Sequence, residues 1–379
     1  MMKIAIDIRN IGKGRTGDEV VFFELVKNLA QIDDGQDEYM LLIDQRSENE
    51  ISKVAKRLGI HDKDNFTIVE LGIANKFMWN IWNVPKYCRK AKIDIYHTQY
   101  IIPFFMPKRT KIVTHIHDVS FRAHPELISK VDSFFLNALI PRAVRKSHKV
   151  IAVSQFTKDE IVKYYKVKPE KIVVIYNAVS EEYKDAEVSN DVRKKYNLPK
   201  KYILSLGTMQ PRKNIPFLIA MFAQVAKRID DVYLVLVGKQ AHNFDSSITK
   251  VINQYPQIKD KVLFTGYVDE KDKLAIFERA KVFVFPSLYE GFGVPILEAF
   301  EAGVPVVASD IVPHREIGGA GALYCDLKNI DQCKKMLYDV LINDKIREYA
   351  LIESKKQKTI FSWTESARRL QNLYREEML

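Results

Sequence analysis

Cysteine is scarce in this chain. Cys88, Cys325 and Cys333 are its three thiols, too few for a disulfide framework, and none belongs to a CxxC pair. A reducing, cytoplasmic setting is the expectation. Long apolar runs are also missing. Nothing approaches the ~18 residues that a spanning helix needs, so an integral membrane protein is not expected. The N-terminal MMKIAIDIRN is interrupted by Asp7 and Arg9 and reads as a first strand rather than a secretory leader. No repeat or low-complexity tract stands out. With 379 residues, 47% hydrophobic and 28% charged, the chain is neither collagenous, coiled-coil nor disordered in bulk. At ~100–200 residues per domain the length favours two domains.

The formal net charge is +11, and one stretch carries it. Residues 51–150 hold 18 basic and 7 acidic side chains, whereas residues 1–50 hold 6 and 11, and residues 151–379 hold 35 and 30. A concentrated basic field suits an anionic partner such as a membrane surface, nucleic acid or a phosphorylated substrate; a merely solvated basic face is the plainer alternative.

Short apolar runs alternate with helix-length segments. Strands are expected at Lys3–Ile8, Tyr39–Ile43, Phe66–Val69, Ile93–His97, Lys111–His115, Val150–Val153 and Ile172–Ile175, and again at Tyr202–Leu206, Tyr233–Val237, Val262–Phe264, Val282–Phe285 and Val306–Ala308. Helical patterns such as Glu19–Leu29 and Gln155–Tyr165 lie between them. That alternation implies an α/β fold of two doubly wound parallel sheets with helices on both faces. The charged stretch Ser180–Lys200 reads as the linker. The expected division is an N-terminal Rossmann-like domain over 1–185, a C-terminal one over 186–362, and a last helix over 363–379 returning to the first domain. Ligands of such sheets bind beyond the strands' carboxyl ends, so a cleft between the domains is the natural site.

Two stretches of the second half carry chemistry. SLGTMQPRKN leaves a strand, passes Gly207 and sets Arg212 and Lys213 at an expected helix start. Cations there oppose the helix dipole, so the pair suggests a bound anion; a fork and a point charge together suit a diphosphate. A solvated cationic pair beside a turn is the alternative. PSLYEGFGVPILEA follows another strand, with Gly291 and Gly293 bracketing Phe292 and Pro295 in a first helical turn. Free amides at such a terminus cradle phosphate. Glu290 and Glu298 are expected to accept hydroxyl donors of a nucleotide's sugar and of a transferred group. Helix capping is the alternative for Glu290.

In the first half, Gly12, Gly14 and Gly17 have GxGxxG spacing, but Arg9, Asn10 and Ile11 separate them from the strand, and Asp18 stands where a P-loop has lysine. THIHDVSFRAHP contains an HxHD that invites a metal, yet no third ligand follows at matching spacing and His124 is distant; a buried structural histidine is the other reading. KFMWNIWNVPKYCRKAK, over Lys76–Lys92, interleaves Phe77, Trp79, Ile81 and Trp82 with Lys76, Lys86, Arg89, Lys90 and Lys92. It suits a lipid headgroup interface or, alternatively, an ordinary amphipathic helix packed on the sheet; Pro85 is expected to break a long helix.

PSLYEGFGVPILEA with GTMQPRKN resembles the retaining glycosyltransferases of family 4, of the GT-B fold. Its two glutamates eight apart and its upstream Arg–Lys pair are that superfamily's marks. The resemblance implies a hexosyltransferase using a nucleotide-diphosphate sugar. It implies that Arg212 and Lys213 bind the donor diphosphate, Glu290 the transferred sugar and Glu298 the ribose. The backbone of Phe292, Gly293 and Val294 would face phosphate or sugar, and Gly207, with Tyr267 and Val268 of the GYV stretch, would border the donor. His117 would contact the transferred sugar, with Asp118 orienting it. Gly14 and Gly17 would lie over the donor phosphates, although Arg15, Thr16 and Asp18 depart from the family's usual loop. Ser154 and Asn177 match weaker family positions. No metal or other cofactor is implied, since Arg212 and Lys213 can neutralise a diphosphate and no DxD motif follows a strand. HDVSFRAHPE and GTMQPRKN look closest to the mannosyltransferase branch that builds surface polysaccharide from GDP-mannose, with a UDP-sugar as runner-up. Acceptors would be a glycan or a lipid-linked glycan, with peripheral contact at the inner face of an anionic membrane and no nucleic acid. Two rivals belong to other classes. An NAD-dependent oxidoreductase would use the GxGxxG with Asp44 at the second strand's end, and a silent sugar-nucleotide-binding protein would bind donor without turnover.

Overall fold

The computed structural model describes residues 1–13, 17–72, 76–127, 130–186, 191–239 and 244–376. The chain divides into two compact units, one of Met1–Arg122, Val131–Asn177 and Ser362–Leu379, the other of Ala123–Lys130 and Ala178–Phe361.

The first unit is built on a parallel sheet of seven strands: β1 Lys3–Asp7, β2 Glu38–Ile43, β3 Phe66–Glu70, β4 Ile95–Gln99, β5 Lys111–Ile116, β6 Lys149–Ala152 and β7 Ile172–Val174. Their order is β3-β2-β1-β4-β5-β6-β7. The second sheet has β8 Tyr202–Leu206, β9 Tyr233–Val237, β10 Val262–Gly266, β11 Val282–Phe285, β12 Val306–Ser309 and β13 Ala322–Cys325, in the order β10-β9-β8-β11-β12-β13. Central strands such as IAID in β1 and VFVF in β11 are buried along their length, as sheets covered on both faces require. In both sheets the order reverses beside the first strand, between β1 and β4 and between β8 and β11. The crevice beyond such a switch point is where open α/β sheets bind ligands.

Three details differ from the expectations. β13 is an added edge strand; its four residues follow GAG and offer too short an apolar run to be read as a strand. The fourth strand runs Ile95–Gln99 rather than Ile93–His97, which sets Gln99 beside His115 in register. Pro85 does not break the helical stretch after β3. Helical turns at Lys76–Met78 pass into a wide π-turn at Trp79–Asn83 and then into the helix Val84–Lys90, whose first turn holds Pro85. Pro85 falls in the first turn of the second helix, where a missing N–H costs little, and Val84 N–H reaches back five residues to Trp79 O.

The final helix, Trp363–Glu376, packs on the helix Asp18–Ile32 within the first unit. Tyr374 Oη meets His97 Nδ1 at 2.6 Å, Arg375 binds Asp34 and Asp37, and Ser366 Oγ donates to Tyr176 O at 2.6 Å.

Candidate active site

In the second unit the loops after β8 and β11 flank the switch point, and both chemical motifs lie on them. After β8 the chain passes Gly207 and makes a single tight turn at Pro211–Lys213; Asn214, at φ 53°, precedes the helix Ile215–Val225. Arg212 and Lys213 therefore stand in the turn before the helix rather than at its start. The left-handed Asn214 is what separates them from it. A side chain at Gly207 would press on Lys213 Cε at 3.3 Å, and one at Gly238 would collide with Gly207 O at 1.9 Å. Gly207 is bare so that the lysine stem can lie against it, and Gly238 so that the Gly207 backbone can pass.

Glu290 is buried between the two cations. Lys213 Nζ is 2.5 Å from its Oε1 and Arg212 Nη1 is 2.9 Å from its Oε2. Arg212 O also accepts the Leu288 N–H at 2.8 Å, so main chain and side chains join the loops. Burial pushes the Glu290 carboxyl up, but Arg212 and then Lys213 outweigh it and hold the group at about 2. Lys213 Nζ further lies 4.8 Å over the Phe285 ring. The Arg–Lys pair thus needs no bound anion to be tolerated; Glu290 is its resting counterion. It is not a capping residue, because Gly293, at φ 112°, stands at the cap of the helix Val294–Glu301. Phe292 is buried edge-on to Phe361, and Gly291 and Gly293 on either side of it are buried as well.

Glu298 lies inside that helix and is also buried. Its Oε1 receives Lys273 Nζ at 2.6 Å, and its Oε2 has no partner among the described residues. Burial raises its pKa, and Lys273 only partly offsets this. The Lys273 ammonium, from the helix Glu270–Glu278, is raised despite burial by Glu298 and Glu270. Tyr183 Oη donates to Glu298 O at 2.9 Å. His314 lies behind the glycine turn, its ring 4.8 Å from Phe285 and its Nδ1 at Ser309. Burial pushes it down to about 4. Tyr267 and Val268 follow the edge strand β10, with β9 between them and β8; Tyr267 is half exposed under Lys239 Nζ at 4.4 Å, and Val268 is buried. They do not join the ion cluster.

Sequence reasoning missed Lys273, Lys239 and His314. His314 had a signal, a polar ring in the first helical turn after β12. Lys273 had little, being one lysine of a charged helix.

In the first unit His117 follows β5. Its Nε2 meets Gln99 Oε1 at 3.1 Å, and its ring stacks on His115 at 4.8 Å. Burial lowers its pKa, with Asp18 and Asp118 opposing. Asp118 instead receives Ser120 N–H and Oγ–H, at 2.9 and 2.7 Å, so Gln99 orients the imidazole. Gln99 Nε2 also reaches Asp18 O, the residue after Gly17. Gly12 N–H donates to Glu19 Oε1 at 2.7 Å; Gly14 lies outside the described residues. His115 is buried within this ring stack, and His124 pairs instead with Glu126, so HxHD gathers no third ligand; among the described residues no metal-ligating cluster forms. Ser154 caps the helix Gln155–Tyr165. Asn177 is buried. Asp44 is buried in ion pairs with Lys13 and Arg46, which occupies the acid that the oxidoreductase reading required for a ribose.

Two doubly wound parallel-sheet units, one with a cation–carboxylate cluster at its switch point, are the pair of Rossmann-like domains that a GT-B fold requires. Residues 16–183 match the model of Glycosyltransferase Family 4 and residues 188–358 that of Glycosyl transferases group 1. O-antigen chain mannosyltransferase B of Escherichia coli is 30% identical over 292 residues, covering 76% of this chain and 75% of that protein. The chain belongs to this family and is a glycosyltransferase. The serotype-specific mannosyltransferase WbdA of Escherichia coli is 31% identical over 243 residues, 62% of this chain but 29% of that longer protein. The O-antigen chain mannosyltransferase RfbU of Salmonella typhimurium is 30% identical over 245 residues, 62% of this chain and 64% of that protein. Among solved structures, the sucrose-phosphate synthase of Thermosynechococcus elongatus superposes with a TM-score of 0.74 at 18% identity, covering 100% of this chain and 99% of that one, which shows the fold.

Proposed function

We propose that the enzyme transfers mannose from GDP-mannose, with retention of configuration, to a growing surface glycan. The carrying observation is the Arg212–Glu290–Lys213 cluster at the β8/β11 switch point. The donor diphosphate takes over the cations, which stabilise the departing GDP, and the amides of Phe292, Gly293 and Val294 add fixed dipoles. Glu290, released from both cations, accepts hydroxyls of the transferred sugar. Glu298 accepts the ribose hydroxyls while Lys273 keeps it ionised. His117 takes the sugar contact that the family resemblance implies, and Gly207, Tyr267, Val268, Gly14 and Gly17 border the donor. Two cations beside one diphosphate support a metal-independent reaction. The curated mannosyltransferase relatives support mannose and a polysaccharide product. The acceptor is a glycan, free or lipid-linked, and the place of reaction is the cytoplasm, at the inner face of the membrane for a lipid-linked acceptor.

The test is a hydrolysis screen of sugar nucleotides with and without chelator. Release of GDP from GDP-mannose, undiminished by chelator, is expected; release of UDP from UDP-glucose in preference would refute the donor assignment.

A further inference from the structure

The large exposed aromatics of the first unit are not scattered singly. Phe77 (69% exposed) and Trp82 (57%) lie in the segment after β3, Phe104 and Phe105 (64%) after β4, and Phe134 (70%) with Phe135 on the helix Lys130–Lys146 after β5. All three segments leave the carboxyl edge of one sheet, two of them from the neighbouring strands β4 and β5. The first two are joined where Phe104 N–H donates to Asn80 O at 3.0 Å. Arg142 joins the second to the third: it donates to Ile102 O, Pro103 O and Phe104 O, and its guanidinium sits 4.5 Å over the Phe104 ring. Arg142 is seven residues beyond Phe135, so the two share a helix face. An exposed apolar set of this extent marks an interaction surface on a water-soluble domain.

Charge identifies the partner. Between Glu70 and Asp118 the only acidic residue is Asp94, and Arg109 already binds it at 2.6 Å. The same interval holds eight Lys and Arg. Lys86, Arg89 and Lys90 follow Trp82 at helical spacing and are exposed, and Lys86 Nζ lies 6.0 Å over the Trp82 ring. A neutral glycan would stack on the rings but leave this charge unanswered. A headgroup layer answers both: rings settle at the boundary and ammonium groups meet phosphates.

We propose that Phe77–Lys90, the Phe104–Phe105 loop and the Phe134–Phe135 end of the following helix form one docking face for an anionic lipid surface. This extends the reading of a lipid-linked acceptor, and it is measurable without donor or acceptor. The intact chain should co-sediment with vesicles of phosphatidylglycerol and phosphatidylcholine in equal parts, less so at high salt, and hardly with phosphatidylcholine alone. Replacing Lys86, Arg89 and Lys90 by Ser should weaken binding roughly 100-fold, at about fivefold per charge. Phe134→Ser with Phe135→Ser should weaken it by at least roughly tenfold. GDP titration of each variant reports folding and leaves the donor site untouched. Equal binding to both vesicle types, no binding to either, or full binding by the Phe134/Phe135 variant overturns the proposal. Vesicle binding without any GDP binding by the wild type would uphold the docking face while refuting the donor reading.

Discussion

Lys213 and Glu290 form a buried ion pair at 2.5 Å across the loops that leave β8 and β11, with Arg212 on the carboxylate's other oxygen. The pair is local chemistry with a long sequence separation. It holds two cations at the switch point, and under the proposed function it sets the exchange a donor must make: diphosphate in, carboxylate released to the sugar.

That arrangement makes stability depend on pH. Glu290 is held at about 2 against an ordinary 4.5, so its stabilisation is fully present above about 4.5 and is lost as pH falls through about 2. The shift corresponds to about 3 kcal/mol. Urea unfolding between pH 5 and pH 2 should show the wild type losing that much more than Glu290→Gln. Superimposable profiles would mean that the pair contributes nothing.

The two cations should not respond alike. Arg212→Ala should lower GDP affinity by roughly 10- to 100-fold, at ~1.5–3 kcal/mol for a charge-assisted bond, and, since Arg212 is partly exposed, cost less stability than Lys213→Ala. Lys213→Ala strips the nearer cation from a buried carboxylate and should also cost ~3–5 kcal/mol of stability. Calorimetry with GDP beside thermal unfolding separates the effects. Unchanged GDP affinity in a folded Arg212→Ala would remove the diphosphate assignment.

The glutamates should divide by substrate. Glu298→Ala is expected to weaken GDP binding, since the ribose belongs to free nucleotide, whereas Glu290→Ala should chiefly lower turnover. Lys273→Met should mimic Glu298→Ala, because burial alone raises the carboxyl's pKa, and Lys273→Arg should restore binding. The informative comparison is GDP against its 2′,3′-dideoxy analogue: each loss should vanish with the analogue. Loss of GDP binding in Glu290→Ala with turnover intact would reverse the roles.

The strands were legible because β8, β9 and β11 are continuous apolar runs between charged helices, and a parallel sheet buries such runs on both faces. The motifs were legible because glycine, proline and charge fall just past those runs. What escaped is pairing between distant segments. Nothing near Glu290 says that its first partner is a lysine 77 residues upstream, nor does anything near Glu298 point to Lys273. Asp118 sits next to His117 in sequence yet bonds Ser120, whereas Gln99, on the neighbouring strand, holds the ring. The same limit hid the fate of the two tryptophans after β3. Their spacing fitted both a packed helix and a lipid-facing helix, and the wide turn at Trp79–Asn83 puts one ring in the core and the other at the surface.

Trp79 and Trp82 should accordingly behave as opposites. Trp79 is wholly buried; its Nε1–H donates to Asp7 Oδ2 at 3.1 Å and Arg9 lies 4.4 Å over its ring. Asp7 ends β1 at the switch point of the first sheet and also accepts Tyr96 Oη–H at 3.2 Å. Trp79→Ala removes a large core side chain and one donor to a buried carboxylate, at a cost of ~3–5 kcal/mol. Trp82 is 57% exposed, with Lys86 Nζ 6.0 Å over its ring, so Trp82→Ala should change stability by no more than ~0.5 kcal/mol. Urea midpoints of the two variants decide the matter, and tryptophan emission gives an independent reading. Emission of the wild type should have a blue component from the buried Trp79 and Trp363 that persists in Trp82→Ala, which removes the red component of the one solvent-exposed ring of the three. Equal destabilisation by both substitutions would show that Trp82 is packed as well, and would remove one of the aromatic rings on which the docking face rests.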